Sequence, residues 1–330
     1  MSLGELSCLR GISGQEKEVR SYIIREIEGH CEDIRTDSIG NLYAKSGGDS
    51  KSRIGLFAHM DEVGMMVTRI DGHLLHFDPV GGINPVLLPG TKVRIGENAT
   101  PGVVGCPPKH LQKKGEGELS IPLEDLRIDV GDFVEEIEIG DMVTFDTEYR
   151  ERSGVAKGKA FDDRIGCQCL IDIIKKGVDA DCTFVFTVQE EAGLRGAQVA
   201  SQNVDIDYGM ACEGTFALDQ PGVPDYDKMP MMGHGPVITI ADRSVISSRE
   251  MVDAMASVAG TFGIPYQFKR PFAGGTDAGM VHLSGFGVPS CVVSNPCRYI
   301  HSPCAMARLE DLNMMSKLIY ESIGRISEGI

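Results

Sequence analysis

The chain alternates between short, continuous apolar runs and segments whose apolar residues recur at helical spacing. The run over 184–188 predicts a strand buried on both faces, because no polar position interrupts it. The segments 54–58, 208–212, 237–240 and 288–294 predict further strands, and 37–45 predicts one with a turn at Gly40-Asn41. Buried strands of this kind are typical of the central strands of a largely parallel sheet.

Four segments predict helices that flank this sheet. Ser13-Gly-Gln-Glu16 fits a capping box, with a helix over about 15–29. A second helix follows Asp162-Asp163 and ends at Lys175-Lys176-Gly177, a third opens at Ser247, and a fourth carries apolar residues from 312 to 326. We therefore predict an α/β fold with a mixed, mostly parallel sheet flanked by helices.

The pattern changes between residues 65 and 149. Two alternating runs around Asp71-Gly72 predict a hairpin, and short β-type runs separated by Gly, Pro and Asp follow without a convincing helix. We interpret 65–149 as an all-β domain inserted into an α/β domain formed by 1–64 and 150–330. Its histidines, His73, His76 and His110, have neither the spacing nor the neighbouring acids of metal ligands.

Composition narrows the range of functions. The 330-residue chain is 42% hydrophobic and 24% charged, as in ordinary globular proteins, with a formal net charge of −16 that argues against nucleic acid or anionic membrane as a partner. No apolar run is long enough to span a membrane, and the N-terminus has no signal-peptide pattern. The ten cysteines are scattered, which favours reduced thiols and a cytoplasmic protein.

The candidate chemistry lies where the predicted strands end. Each end has an ordinary explanation by itself, such as a helix N-cap for Asp162-Asp163 or a solvated turn for Glu190-Glu191. Ligand sites in open α/β sheets lie at the carboxyl ends of strands, and imidazole plus carboxylate ligands suit zinc, cobalt or manganese. The set is sufficient for two metal ions with an acid left over as a general base. It comprises His59, Asp61, Asp162 or Asp163, Glu190, Glu191, Glu213 and His301.

These residues stand in motifs that resemble a known family. HMDEVG, GKAFDDRIG, VQEEAGLRGA, EGT and IHSP occur in this order, and the likeness extends through LLPGTKVRI and GVVGCPPKHL. The ordered set is similar to the M42 family of metallo-aminopeptidases, the tetrahedral (TET) aminopeptidases, some of which are labelled glutamyl aminopeptidase or endoglucanase. The resemblance covers nearly the whole chain. It implies a zinc-peptidase-like catalytic domain with an inserted β-domain for dimerisation.

The resemblance also implies roles for individual residues. His59, Asp162 and Glu213 would bind one metal ion, and Asp162, Glu191 and His301 would bind the other, with Asp162 bridging. Glu190 would be the general base, and Asp61 would orient His59. Position 213 is Glu where many relatives have Asp, so the side chain that would bind the first metal is one methylene longer. Zinc is the expected metal, with cobalt and manganese as alternatives.

The substrate pocket is less well marked. The resemblance puts Thr276 and Asp277, in the glycine-rich loop 274–279, near the substrate; this loop has no lysine of the phosphate-loop type. Arg298 lies three residues before His301 and either faces a substrate carboxylate or pairs with a structural acid.

We expect a metal-dependent aminopeptidase that acts on short peptides and assembles, as the resemblance implies, from dimers into a tetrahedral dodecamer. A related dizinc deacylase or carboxypeptidase is the alternative enzyme. A non-enzymatic peptide-binding protein is a further alternative, although none of the key ligand or base positions is lost. A glycosidase has no need of two histidines beside its carboxylates.

Overall fold

The computed structural model describes residues 3–106, 121–270 and 273–330. Its strands are β1 (Asp33–Thr36), β2 (Leu42–Lys45), β3 (Ile54–His59), β4 (Gly64–Asp71), β5 (Leu74–Val80), β6 (Lys92–Ile95), β7 (Thr100–Gly105), β8 (Arg127–Asp129), β9 (Met142–Phe145), β10 (Arg150–Arg152), β11 (Val155–Gly158), β12 (Cys182–Thr187), β13 (Tyr208–Phe216), β14 (Val237–Thr239), β15 (Gln267–Lys269), β16 (Ser290–Arg298) and β17 (Ala305–Arg308). Its α-helices are α1 (Leu3–Cys8), α2 (Lys17–Ile27), α3 (Phe161–Lys176), α4 (Arg195–Ala200), α5 (Arg249–Phe262), α6 (Ala278–Val281) and α7 (Leu309–Ser327).

The main sheet is mixed. Its centre is the parallel series β12-β3-β13-β16, in which Thr187 pairs with His59 and Glu213 with Ser294. The flanking strands β2, β14 and β17 run antiparallel to their central neighbours. The prediction of a mixed α/β sheet is confirmed, and parallel pairing prevails at its centre rather than throughout.

The apolar faces predicted from the sequence form one core. Every residue of β3 is buried, and so are the stripe residues of α3 and α7. The largest apolar cluster joins this sheet to α2, α3, α5 and α7. A close approach tightens the packing at one point: a Cβ on Gly166 would lie 2.1 Å from the Cys212 carbonyl oxygen, so only glycine lets α3 approach β13 this closely.

Strands β4 to β9 form a separate closed barrel in the order β4-β5-β8-β7-β6-β9. The hairpin predicted at Asp71-Gly72 joins β4 to β5. The barrel has its own core, which includes Val67, Leu75 and Val93. Within the described part of this segment the helical pieces are short 3-10 turns, as the sequence led us to expect of an all-β unit. His110 and the end of GVVGCPPKHL lie outside the described residues.

Two predicted helix starts were wrong. Helix α2 begins at Lys17 and has no side-chain cap, because Ser13 and Glu16 hydrogen-bond to other segments. Helix α5 begins at Arg249 after Ser248, because the Ser247 hydroxyl instead donates to the Thr239 carbonyl at 2.6 Å. Propensity indicated the helices, but tertiary hydrogen bonds decided where each begins.

None of the described helices is long and apolar enough to cross a membrane.

Candidate active site

The functional side chains meet where the four central parallel strands end. His59 ends β3, Glu190 and Glu191 follow β12, Glu213 lies inside β13, and His301 follows β16. Asp162 is contributed by the first turn of α3, and the peptide bond to Asp163 is cis. All the side chains that the sequence singled out as metal ligands are therefore brought to one edge of the sheet.

Ligand-type atoms in this group form overlapping clusters. One set is His59, Asp162 and Glu213, and another is Asp162, Glu191 and His301; within each, the ligand atoms lie within 4.8 Å of one another. A third set joins His59, Glu190 and Glu191. The first two are the sets that the family resemblance implies.

Asp162 stands between the two histidines. Its Oδ1 lies 3.2 Å from His59 Nε2, and its Oδ2 lies 3.3 Å from His301 Nε2. Asp163 instead points away from the histidine rings, accepting hydrogen bonds from the backbone N–H groups of His59 and Gly166. The Asp162 carboxylate thus lies between the two histidine rings, and the Asp163 carboxylate accepts from the backbone near the start of α3.

Each histidine is oriented by its second ring nitrogen. His59 Nδ1 lies 3.2 Å from the Asp61 carbonyl oxygen and 3.4 Å from Asp61 Oδ1. His301 Nδ1 lies 2.9 Å from the carbonyl oxygen of Gly82, just after β5 of the barrel. In both cases Nε2 is left facing the acids, the arrangement expected of metal-binding imidazoles.

Asp61 also holds the loop that carries the two glutamates. Its Oδ1 accepts from the Glu190 backbone N–H at 3.0 Å, and its Oδ2 accepts from that of Glu191 at 3.1 Å. The Ser13 hydroxyl donates to the same Oδ2 at 2.6 Å. Gln189, which opens the loop, has a positive φ of 54°, a strained value for a residue with a side chain.

Sequence reasoning missed the contribution of the N-terminal segment. Besides Ser13, the buried Glu16 carboxylate accepts hydrogen bonds from the Gly14 N–H at 2.6 Å and the Gln189 N–H at 3.1 Å. Burial and the nearby Asp61 raise the pKa of Glu16 to about 7. The SGQE pattern gave no signal of this, because the same residues also satisfy a capping box.

A buried ion cluster behind the histidine was missed as well. The Lys159 ammonium lies 2.6 and 2.8 Å from the two Glu62 carboxylate oxygens, and Arg164 approaches Glu62 at 3.3 Å. Arg164 also donates to the carbonyls of Leu6 and Met60. The cluster ties α1 and the start of α3 to the loop after β3, which follows His59 directly and carries Asp61.

The buried glutamates of the site have raised pKa values, so a positive charge nearby would stabilise their ionised forms. Burial, opposed by His59 and reinforced by other carboxylates, raises the pKa of Glu190 well above its usual value, and burial together with Asp163 does the same for Glu213. The pKa of Glu191 is raised by burial to about 7. Burial acts to lower the pKa of His59, but Glu190, Asp162 and Asp61 outweigh it and raise that pKa.

A divalent cation fits this donor set. Glu213 Oε1 is buried with no hydrogen-bond partner among the described residues, which is costly for a carboxylate unless a cation completes it. Nitrogen and oxygen donors without thiolate match zinc, cobalt or manganese. The residues present therefore suit bound divalent metal ions.

The predicted pocket residues have different surroundings. Thr276 is buried and its hydroxyl lies 3.4 Å from Asp242 Oδ2. Asp277 is fully buried beside the glutamates and accepts a short hydrogen bond from Thr187; burial raises its pKa to about 6. Arg298 makes a two-pronged ion pair with Asp219, both bonds at 2.7 Å, so it pairs with a structural acid.

Comparison with known proteins agrees with this geometry. The family model described as M42 glutamyl aminopeptidase matches residues 40–318. The chain belongs to the M42 peptidase family. It is therefore a peptide hydrolase of a family whose members include aminopeptidases.

Relatives named as aminopeptidases match nearly the whole chain. A putative aminopeptidase of Acetivibrio thermocellus is 37% identical over 95% of this chain and 94% of its own length. A lysyl aminopeptidase of Pyrococcus furiosus is 33% identical, covering 93% of this chain and 92% of its own. A glutamyl aminopeptidase of Lactococcus lactis is 28% identical, covering 93% and 90%.

Solved structures of TET peptidases share the fold. A TET aminopeptidase from a marine sediment archaeon, Thaumarchaeota archaeon SCGC AB-539-E09, superposes with a TM-score of 0.94 at 31% identity, covering 98% of this chain and 95% of its own. The TET1 peptidase of Pyrococcus horikoshii, described as able to assemble into a tetrahedron or a large octahedral shell, gives 0.86 at 35% identity with 97% of each chain covered.

Proposed function

We propose that this protein is a dinuclear metal-dependent aminopeptidase that removes N-terminal residues from short peptides. The observation that carries the proposal is a pair of His/carboxylate clusters that share Asp162, with the unshared Glu190 beside them. Homologous lysyl and glutamyl aminopeptidases support the reaction class.

Two metal ions would be held by the two clusters. His59 and Glu213 would bind one and Glu191 and His301 the other, with one Asp162 oxygen toward each. When bound, such ions supply Lewis-acid polarisation of the scissile carbonyl and make water more acidic. Zinc is the expected ion, and cobalt or manganese would fit the same donors. The longer arm of Glu213 starts from inside β13, where an aspartate would reach less far.

Glu190 would act as the general base. Glu190 belongs to neither of the first two clusters, and its Oε2 lies 3.9 Å from His59 Nε2. It would take the proton of the attacking water and deliver it to the leaving amine. Asp61 would hold Glu190 in place through its backbone N–H. The acid-rich cleft would attract the cationic amino terminus of a peptide, as an exopeptidase requires.

The protein would act as an oligomer. We propose dimers joined through the barrel and, beyond them, a tetrahedral dodecamer. One similar chain is described as a dodecamer and another as assembling into a tetrahedron or a large octahedral shell, which supports the larger assembly. Large apolar side chains are exposed both on the barrel segment, as at Phe133 and Ile139, and on the main domain, as at Leu283 and Phe286. Light scattering after size exclusion tests this, and a fully active monomer would contradict it.

A panel of peptides with free and N-acetylated termini tests the reaction. We expect amino acids to be released, one at a time from the N-terminus, only from peptides with a free amine. Cleavage of the acetylated peptides would instead indicate a deacylase or carboxypeptidase. Metal binding without any cleavage would contradict the proposed substrate class.

A further inference from the structure

The first four backbone N–H groups of the loop after β12, at residues 188–191, are held by side chains from other parts of the chain. Asn41 accepts from the first at 3.0 Å, Glu16 from the second at 3.1 Å, and Asp61 from the last two at 3.0 and 3.1 Å. The direction in which the proposed base, Glu190, leaves the strand therefore depends on three side chains that are distant in sequence.

Gln189, directly before the proposed base, has a left-handed backbone. Its φ of 54° lies in a region that costs a residue with a side chain about 1–2 kcal/mol. Among the described residues, the acceptor for its N–H is Glu16 Oε1. The backbone rotation at Gln189 sets where the Glu190 side chain begins, so a contact that holds this conformation also places the base.

The burial of Glu16 is not explained by the helix that follows it. Glu16 precedes α2 but makes no side-chain hydrogen bond that caps it. Its carboxylate is 3% exposed, no described cation lies within the 4.0 Å of an ion pair, and the acid Asp61 is close by. Burying an unpaired carboxylate costs stability. The contacts that Glu16 does make are those of Oε1 with the N–H groups of Gly14 and Gln189.

We propose that Glu16 is a positioning residue for turnover. By accepting from the Gln189 N–H, it holds the left-handed conformation that brings Glu190 Oε2 to 3.9 Å from His59 Nε2. This rests on the proposed aminopeptidase function and adds to it a residue from outside the candidate metal clusters. The role needs an acceptor oxygen at this place and not a negative charge, because a carboxyl oxygen accepts in either protonation state.

Two substitutions separate the reach of the side chain from its charge. Glu16→Gln loses the charge but keeps Oε1 as an acceptor, so kcat for a free-amine peptide should stay close to that of the unchanged protein. Glu16→Asp keeps the charge but is one methylene shorter and should fail to reach the Gln189 N–H. We expect its kcat to fall by roughly 10-fold to 10²-fold, the scale of a misplaced catalytic group, with KM little changed. Glu16→Ala should behave as Glu16→Asp does.

Glu18→Ala is the matched control. Glu18 is an acid on the same segment, and it accepts from the Arg10 N–H at 3.0 Å and pairs with the Arg10 side chain. It makes no hydrogen bond to the loop 188–191 among the described residues. Its replacement loosens the N-terminal segment without touching the loop, so kcat should be unchanged.

Hydrogen exchange of the metal-free protein gives a readout that does not depend on turnover. Mass spectrometry should show faster exchange of the loop 188–191 in Glu16→Asp and Glu16→Ala, with exchange of β3 and β12 unchanged. Glu16→Gln should exchange as the unchanged protein does. Denaturant unfolding and elemental analysis of the same samples ensure that kcat is compared between proteins that are equally folded and equally loaded with metal.

The outcomes separate the two proposals. If the unchanged protein hydrolyses no free-amine peptide with metal bound, the aminopeptidase function fails and the role of Glu16 in turnover fails with it. If it does hydrolyse them, and Glu16→Asp keeps full kcat or Glu16→Gln loses as much as Glu16→Asp, only the role of Glu16 is overturned. An equal loss in Glu18→Ala would overturn it too. If Glu16→Ala does not fold, the contrast between Glu16→Gln and Glu16→Asp decides.

Discussion

Asp61 shows how one buried residue can organise a whole site. Its two carboxylate oxygens accept hydrogen bonds from Ser13 and from the backbone N–H groups of Glu190 and Glu191, and it also contacts His59. The pKa of Asp61 stays below its usual value, because these hydrogen bonds and His59 outweigh burial. The proposed base, Glu190, and the two candidate metal clusters thus share a single anchor.

The role of Glu190 is testable by one substitution. Glu190→Gln keeps the shape of the side chain but removes the basic oxygen, so we expect metal content to be retained and kcat to fall by roughly 10²–10⁴-fold, the usual worth of a general base. Steady-state kinetics and elemental analysis of the same sample measure both quantities.

Glu191→Gln is the matched comparison for this substitution. Glu191 lies 3.3 Å from His301 within a candidate metal cluster, so its loss should release metal. If Glu190→Gln kept nearly full activity, or lost its metal as Glu191→Gln should, the assignment of the base would be wrong.

At the same scale, the sequence indicates which residues meet but not what holds them. Residues at or after the ends of predicted strands could be named, which are His59, Glu190, Glu191, Glu213 and His301. Asp162 was distinguished from Asp163 only by the family resemblance. Ser13 and Glu16 could not be named in this way. Polar residues before a helix give the same sequence pattern whether their side chains cap that helix or hydrogen-bond to another loop.

At the scale of elements, the parallel series β12-β3-β13-β16 accounts for the position of the site. Parallel strands end on one side, so polar residues that are far apart in the chain converge there. The buried strands were predictable from their continuous apolar runs. The antiparallel flanking strands were less so, because short segments such as β10, with all three residues exposed, lack a distinctive pattern.

Helix α3 is held against this series by the cluster of Lys159, Glu62 and Arg164. Lys159→Met would leave the buried Glu62 carboxylate without its closest partner, and we expect the free energy of unfolding to fall by about 3–5 kcal/mol. Denaturant unfolding of the metal-free protein measures this without interference from metal binding.

Lys157→Met is the control for the ion cluster. Lys157 lies on β11, two residues before Lys159, and is exposed, so its replacement should change stability by less than about 0.5 kcal/mol. If the Lys159→Met and Lys157→Met variants were equally stable, the buried Lys159 would contribute no more to the free energy of unfolding than the exposed Lys157 does. That result would contradict the prediction.

At the scale of the whole molecule, the barrel and the main sheet meet at the site itself. The Gly82 carbonyl, just after β5, orients His301, and a Cβ at position 82 would lie 3.1 Å from His301 Nδ1. The barrel therefore orients one histidine of a candidate metal cluster, and it also exposes large apolar side chains such as Phe133 and Ile139. A separate inserted β-unit was predictable from the change of pattern, whereas this contact was not.

The central claim is that activity depends on two metal ions per subunit, and a metal titration tests it most directly. Metal-free protein would receive Zn²⁺, Co²⁺ or Mn²⁺ stepwise, with bound metal and hydrolysis of a free-amine peptide measured at each step. We predict no turnover without metal and a maximum near about two ions per subunit, as expected of a two-metal site. Full turnover in metal-free protein, or no metal bound at saturation, would contradict the account.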